Sequence, residues 1–495
     1  MATISSPGIG SSLDVNSIIT QLMATEQQPL TDLQTKATAI TTKISAFGQI
    51  KSQMASLDDA VTKLSSADLW SGKTASSSLP ANVTVTATGS AAATSFSLNV
   101  QQLATAQSAA SAQAATGATF SGGTLTLQIG KWTIDPANPT GPRIFDSANA
   151  SKTLSLTVAA GASMADIAQQ INGSNAGVSA TLVSDGSGNQ QLLMRSNATG
   201  EINGFQLQAA DDPANPPTAG QTALSGLLPS GGLAPIFGKD ALATLNGIAV
   251  RSPTNTLADT VPGLSLNLLK VTDAGAPAEI SVGSDTGSIQ QALTAFVTAY
   301  NATNTMLAQA TKYDPSTKTA ALLQGDVTTT GLERSLRSVV GAIGTGNASS
   351  GINSLSDIGI SFSASADGSI ALDTAKLSKA LAANPDAVRG LFIAATASSG
   401  RSTGSSSTPL PVGAQLKVFL DGASGATGVL ASKATSLQSQ QTDNSNQQIA
   451  MQNRLDGIKT RLQKQYSALD VIIASSTALD TYVQQQIAQW NRPGG

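Results

Sequence analysis

The sequence contains no cysteine and no histidine. The first absence excludes disulfide staples and thiolate chemistry and leaves the compartment open. The second removes the commonest general base near neutral pH and the commonest zinc ligand. Catalysis is therefore not expected, and neither is a metal or other cofactor. Aromatic residues make up only 3% of the 495 positions and charged residues 12%, with a net charge of −3. So weak an imbalance gives no electrostatic case for a nucleic-acid partner or an acidic membrane surface. No run approaches the roughly 20 mostly apolar residues that a spanning helix needs, so membrane insertion is not expected. What remains is a chain rich in Ala, Ser, Thr, Gly, Gln and Asn, 40% hydrophobic. Its cores must be assembled from many small side chains, each burying a modest area. The length leaves room for about three domains.

The segment SSLDVNSIITQLMATEQQPL at 11–30 has an apolar stripe broken by polar residues, bracketed by Asp14 and Glu26 and stopped by Pro29. A cleaved secretory signal would begin with basic residues and continue with a longer unbroken apolar core, so this stretch is expected to be retained. Apolar or alanine residues then recur at Leu33, Ala37, Ile40, Ile44, Phe47, Met54 and Val61, with Lys51 and Asp58 on two of the seam positions. This spacing predicts helices over 15–27 and 30–66, or one kinked helix, the first capped by Asp14 or Asn16. The far end mirrors it. A seam from Leu430 through Leu437, Met451, Leu455, Ile458, Leu462, Leu469, Ile472, Leu479 and Val483 to Trp490 keeps one register throughout. Its polar members Gln441, Asn444 and Gln448 are expected to face water, the alternative being buried amides that select a register.

Between the ends the period changes to two. NVTVTAT and SFSLNVQQL, then 124–129, 153–158, 178–183 and 191–195, read as strands, interrupted by a short helix over 164–171. Segments 242–250, 264–271 and 278–282 form a second strand cluster, and the Pro- and Gly-rich stretches 135–142 and 211–220 read as loops. Helical spacing returns at Ile289, Leu293, Phe296, Tyr300 and Leu307, with shorter helices over 331–341, 374–382 and 385–392. The stretch 398–409 is a low-complexity linker. The fold class is thus α+β and multidomain. Terminal coiled-coil-like helices form a bundle and leg region, and two discontinuous, outward β-rich domains are inserted between them. The expected division is 1–40 with 455–495 (legs), 41–73 with 285–454 (bundle), 74–113 with 238–284 (inner β domain) and 114–237 (outer β domain).

Motifs with chemical meaning fail on inspection. SGKT at 71–74 has Ala67 where a phosphate-binding loop needs glycine and is expected to be a turn. DGSGN at 185–189 has Gln190 and Ser196 where a calcium loop needs Gly and Glu, and reads as a hairpin turn. The pairs Asp58–Asp59 and Asp211–Asp212 are expected to be solvated surface, and Trp132 and Trp490 to pack in a core or seam. The terminal stripes are less easily absorbed within the chain. Leu13, Val15, Ile18, Ile19, Leu22 and Met23, with Leu469, Ile472, Leu479, Val483, Ile487 and Trp490, are expected to form an association surface.

The runs GSSLDVNSIITQLMATEQQPL and ISAFGQIKSQMASLDDAVTKLSS, and the tail RLDGIKTRLQKQYSALDVIIASSTALDTYVQQQIAQW, resemble the two ends of the flagellar filament cap family, among the hook-associated proteins of bacteria. The stretch from Leu154 to Gly200 is similar to a β-rich insert shared by flagellin-related proteins, and DALATLNGIAVRSPTNTLADTVPGLSLNLL follows the cap pattern. The resemblance implies a homo-oligomeric ring at the filament tip, outside the cell. Its terminal helices would act as legs, and it would guide exported flagellin subunits into place. It implies export by the flagellar type III apparatus without a cleaved signal, a cytoplasmic chaperone on the C-terminal helix, and contact with the hook–filament junction proteins. Competing readings are a junction protein of the same axis and an adhesin using the β-rich domains. A hydrolase would need paired carboxylates, to which nothing in the sequence points.

Overall fold

The computed structural model describes residues 14–230, 232–258, 260–344, 351–365, 367–393 and 410–491. The expected linker 398–409 and Leu13 lie outside them. The chain forms two compact units, Met1–Leu69 with Thr286–Gly495, and Trp70–Asp285. Among the described residues the helices are α1 (Val15–Glu26), α2 (Gln28–Leu64), α3 (Ala67–Ser71), α4 (Met164–Gly173), α5 (Thr286–Thr311), α6 (Val327–Val340), α7 (Thr374–Ala383), α8 (Pro385–Gly390), α9 (Val412–Ser424) and α10 (Val429–Trp490).

The first unit is helical because its sequence has period 3.6 with caps in the right places. The Asp14 carboxylate accepts from the Ser17 N–H at 3.0 Å and starts α1. Pro29 sits in the first turn of α2, where its missing N–H costs nothing. Asp326 caps α6 and Asn384 caps α8, whose first residue is Pro385. Helices α2 and α10 run in opposite directions: the Lys433 ammonium lies 5.6 Å from the Phe47 ring centre, and Gln441 bonds Thr41. The buried residues of α2 are Ile40, Phe47, Ile50, Met54, Leu57, Val61 and Leu64. The expected seam departs from this at Lys51 and Asp58. Helix α2 meets α10 and also α5, so its apolar face widens to include Ile50 and Leu57, the neighbours of those two charged residues. Asp58 is not merely solvated, since both its oxygens accept from Lys417 Nζ of α9 at 2.8 Å. The expected stripe of α5 is buried in full, and the Tyr300 hydroxyl donates to the Gly368 carbonyl at 3.0 Å.

The second unit holds two separate hydrophobic cores. One lies under an antiparallel sheet in the order Lys73–Ser77, Ala278–Ser284, Thr94–Gln102, Ala241–Leu245, Ile248–Ser252. A second sheet, Thr256–Ala258, Leu264–Leu268, Val83–Ala87, contributes to the same core. Alternation does the sorting: Phe96, Leu98 and Val100 are buried while the residues between them are not. Lys73 and Thr74 begin the edge strand, so SGKT is not the expected turn. Its last two residues find ladder partners in Ser284 and Gly283.

The other core is built on strand Gly123–Gly130, flanked by Lys152–Val158 and Gly204–Asp211. The hairpin Val178–Ser184/Asn189–Ser196 and the apolar face of α4 (Met164, Ile167, Ala168, Ile171) complete it. DGSGN is the hairpin turn, with Gly186 and Gly188 at positive φ and the Asp185 carboxylate accepting from the N–H groups of Ser187 and Asn189. Strand Gly204–Asp211 was not among the expected strands, although FQLQA alternates and buries Phe205 and Leu207.

Candidate assembly surface

The N-terminal stripe divides between two fates. Val15, Ile19 and Met23 are buried, packed with Leu455 of α10 and flanked by Leu30, Met451, Ile458, Leu462 and Tyr466. The chain therefore covers this half of the expected surface itself. Burial of an aliphatic side chain contributes about 1.5–3 kcal/mol, so the three residues account for holding a 12-residue helix that would be marginal alone. Ile18 is half-buried, and Leu22 points outward at 44% exposure.

The C-terminal stripe is different. Past Tyr466, Leu469, Ile472, Leu479, Val483, Ile487 and Trp490 are all exposed, Trp490 at 86%. Trp490 is thus not packed in a seam within this chain. Val471 and Tyr482 are exposed as well, each about 100° round the helix from its stripe neighbour Ile472 or Val483. From Leu469 to Trp490 the stripe is roughly 30 Å long at 1.5 Å per residue. The strip, interrupted at Ser476, is left uncovered by the described residues of the chain.

Asn444 departs from expectation in the opposite sense: it is buried at 3% exposure. Gln448 Nε2 donates to its Oδ1 at 2.6 Å, while its Nδ2 has no acceptor within the protein. Gln441 remains exposed. One seam amide is therefore paid for in desolvation, the pattern of a residue that selects alignment over maximal stability.

Sequence reasoning missed a cleft in the second unit. Trp132 stands edge-on to Phe145 at 5.3 Å and to Phe237 at 5.5 Å between ring centres, and the Arg143 guanidinium lies 5.0 Å over the Phe237 ring. With Gln206 and Gln208 these residues line a space of about 600 Å³. The Trp132 indole N–H donates to the Phe205 carbonyl at 3.2 Å, so the strand absent from the sequence reading positions the ring. Trp132, Arg143 and Phe145 come from one short stretch and Phe237 from about ninety residues further on, and together they share no motif. Among the described residues no cluster of His, Cys, Asp and Glu could hold a metal ion, and no helix is long and apolar enough to cross a membrane.

Terminal helices packed on one another, with a β-rich unit inserted between them in the sequence, are the features of a structural protein. Models of the flagellar hook-associated protein 2 N-terminus and C-terminus match residues 11–107 and 238–478, and a flagellin hook IN motif matches 145–198. The chain is 29% identical to flagellar hook-associated protein 2 of Escherichia coli K12, over 98% of each chain. It is 28% identical to the B-type protein of Pseudomonas aeruginosa PAO1, over 97% of each. The crystal structure of the D1-D2-D3 domains of the E. coli flagellar cap protein FliD superposes with a TM-score of 0.55 at 25% identity, covering 79% of this chain and 99% of that one. The chain belongs to the flagellar hook-associated protein 2 family.

Proposed function

We propose that this protein caps the distal tip of the bacterial flagellar filament, where copies of it form a ring that guides exported flagellin subunits into place. The observation that carries the reading is the end-to-end correspondence with proteins of that name, joined by a fold match to a flagellar cap protein. The uncovered stripe supplies the physical means. Legs that bury Leu469–Trp490 against neighbouring molecules gain apolar burial and lose conformational entropy on ordering, leaving a modest net affinity. Modest affinity suits a cap that must shift as each subunit joins. The energy for each step then comes from flagellin folding and packing beneath the ring.

The same exposed stripe needs cover before export. A cytoplasmic chaperone on the C-terminal helix fits that need, as does passage through the flagellar type III apparatus without a cleaved signal. Hook–filament junction proteins are the neighbours a new cap would meet first. Neither nucleic acid nor a membrane belongs among its partners. We divide the chain into legs (1–40, 455–495), bundle (41–73, 285–454), inner β domain (74–113, 238–284) and outer β domain (114–237). The two separate cores of the second unit support the last pair, and the packing of α1 on residues 451–466 supports the first.

Complementation tests the reading. Supplied to a cap-null strain with its cognate flagellin, the full chain is expected to restore filaments. Flagellin continuing to escape as monomer into the medium would refute the assignment.

A further inference from the structure

The inner and outer β cores of the second unit are joined by two crossings of the chain. It leaves the inner core at Ala104 and enters the outer one at Ala109, and it returns between Leu233 and Ala241. The crossings pair with each other. The N–H groups of Thr105 and Lys239 each donate to the other's carbonyl, at 2.9 and 3.1 Å, and those of Ser108 and Ile236 do the same at 3.0 and 2.8 Å. A two-stranded ribbon on its own twists strongly and is marginally stable. Domains joined by so little move relative to one another by default.

A third contact spans the joint. The turn after strand Asn189–Ser196 of the outer core lies against Pro253, which follows the inner strand Ile248–Ser252. The Thr199 hydroxyl donates to the Pro253 carbonyl at 2.8 Å, and the Gly200 N–H donates to the Thr105 carbonyl at 3.1 Å. Gly200 has a φ of +100°, and a Cβ there would stand 2.6 Å from the Pro253 side chain. Glycine is what lets the two domains approach this closely.

Charge closes the contact. The buried Asp240, on the returning crossing, accepts through one oxygen from the Glu201 N–H at 2.7 Å and through the other from Arg251 Nε at 2.6 Å. Arg251 Nη2 reaches back to the Glu201 carboxylate at 2.7 Å, and Lys131 Nζ approaches the same oxygen at 3.3 Å. The Asp240 carboxylate thus holds a backbone group of the outer domain and a side chain of the inner one. The guanidinium holds a carboxylate from each. Charge-assisted bonds of this length are directional as well as strong. The Asp240 backbone is fixed in turn by Gln102, whose amide donates to its carbonyl at 2.8 Å. We propose that Glu201, Asp240 and Arg251 form a clamp that locks the inner and outer β domains into one rigid body. A push on the outer domain is then passed to the inner one and not lost in the joint.

The absence of cysteine makes a clean test possible. Thr84→Cys on strand Val83–Ala87 and Val183→Cys on strand Val178–Ser184 place spin labels at exposed positions of the two domains. The distance distribution between them is measured by double electron–electron resonance in the full chain, diluted with unlabelled chain. One narrow peak is expected with the clamp intact. Arg251→Met and, separately, Asp240→Asn should broaden it, while amide exchange in Gly123–Gly130 and Thr94–Gln102 stays as slow as before. A broad distribution with the clamp intact would overturn the rigid joint. A peak that stays narrow in both variants would assign the rigidity to other contacts and overturn the clamp. Broadening together with faster exchange in either strand would also overturn it, because the charges would then be holding a core and not the joint.

Discussion

Gln448 donates through its side-chain amide to Asn444 at 2.6 Å, on the side of α10 that faces the bundle. Leaving the other Asn444 group, Nδ2, without a protein acceptor costs about 1–3 kcal/mol. Gln448 is only half-buried and can turn to water if its partner is removed. Asn444→Leu is therefore expected to stabilise the helical unit by about 1–2 kcal/mol in chemical denaturation. A loss of stability would mean that the amide pair contributes more than its burial costs.

Helix α1 is held by few side chains. Met23→Ala removes one of three buried anchors and should cost about 2 kcal/mol of local stability. Hydrogen exchange would accelerate across Val15–Glu26 while α5 stays protected. Unchanged exchange in α1 would show that something other than this cluster retains it.

Much of this was legible beforehand. Strong period-3.6 stripes fixed both terminal helices and all of α5, and alternating β-branched runs located most of the strands. The failures have physical causes. Lys51 and Asp58 fall on the α2 seam because heptad counting assumes one partner, and α2 packs against α5, α9 and α10. Asn444 is read as facing water because an amide in isolation prefers it; its burial follows from the packing of α10 on α2, which a run of polar residues does not reveal. Trp490 stands at the end of the seam and also in the expected association stripe, and of the two places the chain itself supplies no packing for it. Its exposure depends on which helix lies opposite, and no residue's own identity encodes that. The cleft was invisible for the same reason, being assembled from Trp132, Phe145 and Phe237 by sheet register.

Burial pushes the Tyr300 phenol up to about 12. An unfolded tyrosine ionises near 10, so above that pH the unfolded state sheds a proton that the folded state keeps. Stability therefore falls as pH rises from about 10 towards 12, by about 2–3 kcal/mol in all. Below pH 10 both states are protonated and the group contributes no slope. Tyr300→Phe should flatten this alkaline limb at the cost of the bond to Gly368, about 1 kcal/mol at neutral pH. An alkaline limb equally steep in the variant would assign the loss to another group.

The distal half of α10 offers the sharpest contrast between folding and assembly. Ile472, Leu479 and Val483 are exposed at 60%, 65% and 45%, so replacing them with serine should leave the thermal midpoint of the isolated chain within about 1–2 °C. The variant Ile472→Ser/Leu479→Ser/Val483→Ser, expressed in a cap-null strain, measures whether that stripe serves assembly. With export and folding intact, the expected result is few or no filaments and flagellin released as monomer. Filaments of normal length and number would contradict the claim that this strip of helix is covered by neighbouring molecules.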